Sequence, residues 1–439
     1  MSPAVTATFR SLHHRNFRLF ASGQVVSLTG TWAQRIAQDW LVLALSHNSG
    51  VALGITTGLQ FLPVLLFGLW GGVIADRYDK RTVLIGVQSV MAVLALLLAA
   101  LDLSGSVRLW QVFALAFCLG LTSAVETPVR QSFVSEIVPP QDLGNAVGLN
   151  SAIFNSARIV GPALAGIVIA TAGTGWVFLG NGISFGFVIA GLVAMRVADL
   201  HPTARLVKAK GQVREGLTYV RSRPELLVPI ALVGVVGTFG LNFQITLALV
   251  AKQTFGLGAG AFGLLTSALA AGSLIGALRS AGRSSRPPAR LLFGSAVAFG
   301  LLEILVGLAP SFAVMTVLLV PTGLAVLTFS TTANAMVQLG SDPALRGRVM
   351  ALYVLVFLGG TPLGAPIIGW LSETMGPRFG LVAGGAVCAV AALGSALWLR
   401  RSAVQQPLAH LQGGPDPEHA PQRIEGRPVP GISVRQVGG

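Results

Sequence analysis

The chain has 439 residues, 53% of them hydrophobic and only 10% charged, with 30 Lys and Arg against 16 Asp and Glu. A soluble domain carries about a quarter charged residues, so this composition excludes an ordinary globular enzyme and points into a membrane. The net charge of +14 sits in short connections between long apolar runs, which argues against a nucleic-acid partner.

Apolar runs long enough to cross a bilayer as helices recur along the chain. They are continuous rather than alternating, so a β-barrel is a poor reading. Spans are predicted at 17–45, 52–75, 82–102, 109–134, 144–171, 175–197, 226–250, 260–280, 290–309, 312–336, 348–372 and 379–399. The fold class expected is therefore an all-α membrane protein with twelve transmembrane helices in two six-helix repeats. The first run is too long for a cleavable signal peptide and follows the basic stretch FRSLHHRNFR.

Span 1 is unusually polar, with Gln24, Thr31, Gln34, Arg35 and Asp39. Arg35 and Asp39 lie four apart on one face and are placed to pair. Two readings stand: a neutral structural pair near the outer end, or a proton site whose affinity changes when Arg35 moves. Between spans 2 and 3, the stretch GGVIADRYDKRT packs Asp76, Arg77, Asp79, Lys80 and Arg81 into six residues. In span 4, Glu126 and Arg130 flank Pro128, which frees a backbone carbonyl, and both are expected to gate. In span 5, ARIVGPALAG supplies Arg158 and the small-residue face Gly161, Pro162, Ala165 and Gly166, suited to close helix packing. Arg158 stays charged at any relevant pH; it is expected to meet an anionic substrate group, or to pair with Asp39 or Glu126.

The connection 198–225 divides six spans from six. Its piece VREGLTYVRSRPEL places Val213, Leu217 and Val220 on one side, as an amphipathic helix on the inner membrane face or as a solvated linker. Glu303 is the only acid in the C-terminal spans, and is a second proton candidate or an outer-interface residue. By residue type, Gln24, Thr31, Asn155, Phe239, Asn242, Gln244, Thr328, Thr332 and Asn334 are expected to line a mostly apolar cavity. Such a cavity suits bulky amphipathic compounds better than sugars. Cys118 and Cys388 lie inside apolar runs and read as packing residues, with no metal site implied. The tail 402–439 has six Pro and six Gly and reads as disordered.

Charge sets the orientation. With the N-terminus inside, the inner segments up to residue 401 carry 22 Lys and Arg, while the outer connections carry three, Arg108, Lys252 and Arg378. Both termini are then cytoplasmic. The halves also echo each other: VPPQDLGN leads to the Gly-Pro stretch of span 5, and SDPALRGR leads to GGTPLGAPIIG of span 11. Repeated halves with a site between them are a common transporter plan.

These stretches carry a family resemblance over about 15–400. Gly72 to Arg81 resembles the major facilitator superfamily signature between spans 2 and 3, with Asp79 where the usual form has Gly. Ala157 to Gly166 resembles the Gly-Pro motif of its antiporters. NFRLFASGQVVSLTGTWAQRIAQDWLVL, ETPVRQSF and REGLTYVRSRP resemble the exporter group that includes the enterobactin exporter and drug efflux proteins. The resemblance implies that Gly72, Asp76, Arg77, Lys80, Arg81, Glu126 and Arg130 gate the protein. Asp76, Arg77 and Glu126 would form a charge cluster that latches the halves when the outside is open. It implies that Arg158, Gly161, Pro162 and Gly166 form the antiporter motif. The expected function is proton-coupled export of small amphipathic molecules from the cytoplasmic membrane. A solute importer on the same fold and a non-transporting membrane sensor are the alternatives. No phosphate loop, HExxH or Cys/His cluster appears, so neither enzymatic activity nor a cofactor is expected, and the energy would come from the proton gradient. Each chain holds both halves, so a monomer is expected. The partners expected are the bilayer, protons and a small-molecule substrate.

Overall fold

The computed structural model describes residues 10–201, 212–281, 287–342 and 345–412. Among them every regular element is helical. In chain order, α1 is Arg15–Leu45, α2 Gly50–Arg77, α3 Lys80–Leu103, α4 Leu109–Phe133, α5 Leu143–Ala172 and α6 Thr174–Val193. After the connection come α7 Gln212–Arg221, α8 Pro224–Val235, α9 Phe243–Leu249, α10 Ala259–Ala281, α11 Ala289–Gly307, α12 Phe312–Gly340, α13 Arg346–Met375 and α14 Pro377–Gln412. Among the described residues, eleven segments are long and apolar enough to cross a membrane. The eleven leave out α1, whose polar and charged residues at 15–39 dilute its 31 residues.

The predicted spans match these helices closely, with one internal difference. The span predicted at 226–250 is not one helix. Wider π-turns at Val236–Gly240 and Val250–Thr254 frame α9, and the backbone leaves helix at Leu241 and Asn242. The π-turn lies against α13, where a Cβ on Gly364 would sit 1.6 Å from the Thr238 carbonyl oxygen. The glycines of GGTPLG therefore give the widened turn room to seat.

Helix ends follow from local chemistry. Asp79 caps α3: its Oδ2 accepts from the Thr82 amide at 2.8 Å and the Thr82 hydroxyl at 2.6 Å. The Gly usual at this position would leave those donors unmet, and Asp79 keeps ordinary extended backbone, φ −61°. Arg81 donates to the carbonyls of Leu192 at 2.7 Å and Val193 at 3.1 Å, satisfying the free end of α6. Asp142 holds Arg10 and His14, tying the N-terminal turn to the approach to α5.

A helix forms in the linker, as one of the two readings expected, while the tail is helical for longer than expected. α7 packs against α13; Val220 is fully buried, and the Asp342 amide donates to the Tyr219 hydroxyl at 3.1 Å. Protein, not lipid, covers the apolar side of this helix at Val220. Helix continues through Gln412, ten residues past the predicted start of disorder. Residues 202–211 of the linker and 413–439 of the tail lie outside the described residues.

Within residues 1–395, α2 packs on α4, α3 on α6, and α1 on both α5 and α6. In the later helices α12 packs on α10 and α11. The first six helices meet the later ones chiefly through α2 on α13 and α5 on α10. The close approaches in both pairs lie toward one end, that of the connections 46–49, 173, 255–258 and 376. Gly50 meets Gly369, Gly54 meets Ala365 and Pro366, Gly166 meets Gly260, and Gly263 meets Pro162, all backbone to backbone. Hydrogen bonds reinforce this end: Ser49 Oγ donates to Glu373 Oε2 at 2.6 Å, and Gln253 Nε2 to the Asn48 carbonyl at 2.6 Å. The main apolar core is continuous here, joining Ile36, Leu43 and Leu53 with Phe243, Leu249 and Phe262. Toward the opposite end a separate core, Phe17, Phe20, Leu84, Phe133 and Leu192, belongs to the first six helices alone.

Candidate substrate site

Near these contacts α1 packs against α5 and also meets α2. α1 offers one strip of residues at helical spacing, Gln24, Thr31, Arg35 and Asp39. Trp32 stands beside Arg35 and fills the gap opposite Gly161, whose Cβ position is 2.6 Å from the Trp32 Cβ. Only a residue without a side chain lets α5 approach α1 so closely there.

Two guanidinium groups address this tryptophan. The Arg35 Cζ lies 4.7 Å from the centre of the Trp32 ring, and that of Arg158 lies 5.7 Å from it. Arg35 also stands 5.7 Å from the centre of Phe61 on α2. Phe154 meets Trp32 edge-on at 5.8 Å. Among the described residues neither arginine makes an ion pair within 4.0 Å. The pairing expected between Arg35 and Asp39 is absent at that distance, and Asp39 Oδ2 is buried without a hydrogen-bond partner. Their helical spacing allows contact, but the guanidinium has turned to the two rings. An intramembrane Arg costs about 2.5–3.5 kcal/mol on insertion scales. A cation–π contact returns about 0.5–2 kcal/mol, so the single ring facing Arg158 does not meet the cost.

The site sits against both seals. Ile159, next to Arg158, accepts from Ser267 Oγ of α10 at 2.8 Å. Phe61 follows Gly58, which approaches Pro362 of α13. Beside the cluster, Asn181 of α6 donates to Gln34 Oε1 at 2.6 Å and accepts from Ser184 at 3.0 Å, a satisfied buried network that fixes α1 on α6.

The other predicted cavity residues scatter. Gln24 is buried, Thr31 half-buried, and Asn155 binds its own helix at the Ser151 carbonyl, 2.8 Å. Phe239 lies in the π-turn, and Gln244 is half-buried on α9. Asn242 donates to the Thr238 carbonyl at 2.7 Å but leaves its Oδ1 unpartnered. Thr328 bonds back to Leu324, whereas Thr332 is buried with its hydroxyl unpartnered. Asn334 meets the hydroxyl of Tyr353, which donates to the Ser330 carbonyl at 3.2 Å and stacks on Phe357. Glu303 is buried on α11, near Gly384 and Cys388 of α14, and its Oε2 has no partner.

The gating set lies at the opposite end. Glu126 Oε1 accepts from Arg130 Nε at 2.7 Å along α4, and Lys80 pairs with Glu136. Arg81 caps α6, as above. Gly72 is half-buried, and its neighbour Gly71 lies against the Ala124 backbone of α4. Asp76 and Arg77 occupy the last turn of α2. Arg158, Gly161, Pro162 and Gly166 share α5, and the last two reach α10. The sequence reading missed Trp32, Phe61, Phe154 and Tyr353. Trp32 carried a signal, three residues before an intramembrane Arg; the others became visible only by helix packing.

Comparison with known proteins agrees with this architecture. The family model for transmembrane secretion effectors matches residues 6–419. The chain belongs to that family of major facilitator transporters. The staphyloferrin A transporter of Staphylococcus aureus is 33% identical over 169 residues, 38% of this chain and 42% of that protein, so the match spans less than half of the relative. The multidrug efflux pump Tap of Mycobacterium tuberculosis (strain H37Rv) is 28% identical over 373 residues, covering 82% of this chain and 87% of the pump. Among solved structures, a bacterial homologue of the human lysosomal transporter Spinster superposes with a TM-score of 0.69 at 15% identity, covering 88% of this chain and 96% of that one. The chain is thus a multi-pass membrane transporter with exporters among its relatives, and not an enzyme.

Proposed function

We propose that this transporter is a proton-coupled exporter of small amphipathic molecules, working by alternating access between two six-helix halves of a twelve-helix bundle. α1 to α6 form the first half, and α8 to α14 the second, with the broken α8–α9 segment counted as one span. The observation that carries the reading is that the close backbone approaches between the first six helices and the later ones gather at one end, with an apolar core of the first six helices alone at the other. That is the arrangement of a central path closed on one side. The 22-to-3 distribution of Lys and Arg supports a cytoplasmic position for the unsealed end, so this conformation would load substrate from within, from a bacterial inner membrane. Asp76, Arg77 and Glu126 would latch that end when the protein turns outward. Export is favoured by the similarity to the efflux pump over 82% of this chain.

Protons are assigned to Asp39 and Glu303, the acids buried with an unpartnered oxygen among the described residues. Burial of a charged group without a partner is costly, and proton binding removes the charge. The experiment is reconstitution of the full chain in vesicles with an imposed pH gradient, loaded in separate assays with an anionic aromatic dye, carboxyfluorescein, and a cationic one, ethidium. Expected is dye movement against its gradient that stops when an uncoupler is added. Uptake in the opposite sense would establish the importer. Binding of dyes without flux under any gradient would establish a sensor and refute the reading.

A further inference from the structure

We propose that Arg35 and Arg158, set beside the ring of Trp32 with Phe61 close to Arg35, dock the anionic end of an aromatic amphiphile. The substrate class of the transporter is thereby narrowed to carboxylate- or sulfonate-bearing aromatic compounds. The inference rests on the transport reading for its consequence, but the binding site stands on geometry alone.

Three observations converge. Arg35 and Arg158 each bring permanently charged donors to one aromatic ring, from two helices. Among the described residues no carboxylate lies within 4.0 Å of either, and the acid nearest in sequence, Asp39, leaves Oδ2 unpartnered instead of closing on Arg35. The cluster also lies beside the α2–α13 contact at Gly58 and the α5–α10 contact at Ile159, on the floor that those two contacts make between the helices. A substrate entering from the unsealed end would reach this floor and stop. Its anionic group would complete the guanidinium hydrogen bonds, and its ring would lie against Trp32, Phe61 and Phe154. The bidentate geometry of guanidinium favours carboxylates in particular. A cation would instead meet two like charges, with Asp39 the one acid on the same strip of α1 to offset them.

Purified full-length protein in detergent is titrated into carboxyfluorescein, an anionic aromatic probe, and into ethidium, a cationic one, with anisotropy as the readout. The wild-type protein is expected to bind carboxyfluorescein more tightly than ethidium. Arg35→Gln and Arg158→Gln should each weaken carboxyfluorescein binding about tenfold, the effect of losing one charge-assisted hydrogen bond. Ethidium binding should change by less than about threefold in the same variants. Arg158→Lys should recover part of the loss by restoring charge. Should a Gln variant fail to fold, the wild-type preference decides. Ethidium binding about tenfold tighter than carboxyfluorescein, or Gln variants that bind both dyes as wild type does, overturns the inference. Absence of gradient-driven flux in vesicles would sink the transport reading while leaving this binding result intact, so the two failures are distinguishable.

Discussion

The seal between α2 and α13 offers a direct test of alternating access through Gly54→Ala. The added Cβ would lie 2.5 Å from the Ala365 carbonyl oxygen and 2.8 Å from Pro366 Cα. Both are backbone atoms, so neither yields by a side-chain rotation. α2 and α13 must part by about 1 Å to recover ordinary van der Waals contact. Overpacking of this kind costs about 1–3 kcal/mol. The cost falls only on the conformation in which this end is closed. The ratio of outward-open to inward-open protein should therefore rise roughly 5- to 150-fold. Gly58→Ala is the internal control, since its Cβ would stand 3.4 Å from the Pro362 carbonyl oxygen, an ordinary contact. Spin labels placed by Ser151→Cys and Arg279→Cys, in a Cys118→Ser, Cys388→Ala background, report the distance across the unsealed end by electron–electron double resonance. Gly54→Ala should enrich a shorter distance, and Gly58→Ala should leave the distribution unchanged. If the two variants give the same distribution, the α2–α13 seal is not a moving contact and the rocking scheme fails.

Further outcomes follow from other contacts. Asp79→Ala removes the acceptor for the Thr82 amide and hydroxyl. It should lower stability by about 1 kcal/mol, read as a lower melting temperature in detergent, whereas Asp79→Gly should cost only a few tenths of that unit. Asp39→Asn should uncouple dye efflux from the proton gradient at equal expression; persistent uncoupler-sensitive efflux would exclude Asp39 as the carrier and leave Glu303. Asp76→Asn should slow transport without reducing membrane insertion, and wild-type flux in that variant would remove the latch. Gly263→Ala, whose Cβ would meet the Pro162 carbonyl oxygen at 2.4 Å, should shift the spin-label distances in the same sense as Gly54→Ala.

The membrane spans were legible because hydrocarbon imposes a length and an apolarity on every crossing, and both are written locally. The polar strip of α1 was legible for a similar reason: helical spacing of three or four fixes which side chains share a face. The Asp79 cap and the Glu126–Arg130 pair were not read from it, although both are local contacts. The Gly-Pro stretch of span 5 announced close packing, since only small residues allow it. Tertiary structure alone decided the rest. The break at Leu241 and Asn242 depends on the seat that Gly360 and Gly364 provide more than a hundred residues later. Arg35 turns to Trp32 and Phe61 rather than to Asp39 because a second helix brings a ring within reach, and spacing along one helix is silent about its neighbours. The identity of the sealed end is likewise absent from the sequence. It is a choice between packings that use the same residues, made by which glycine faces meet in space.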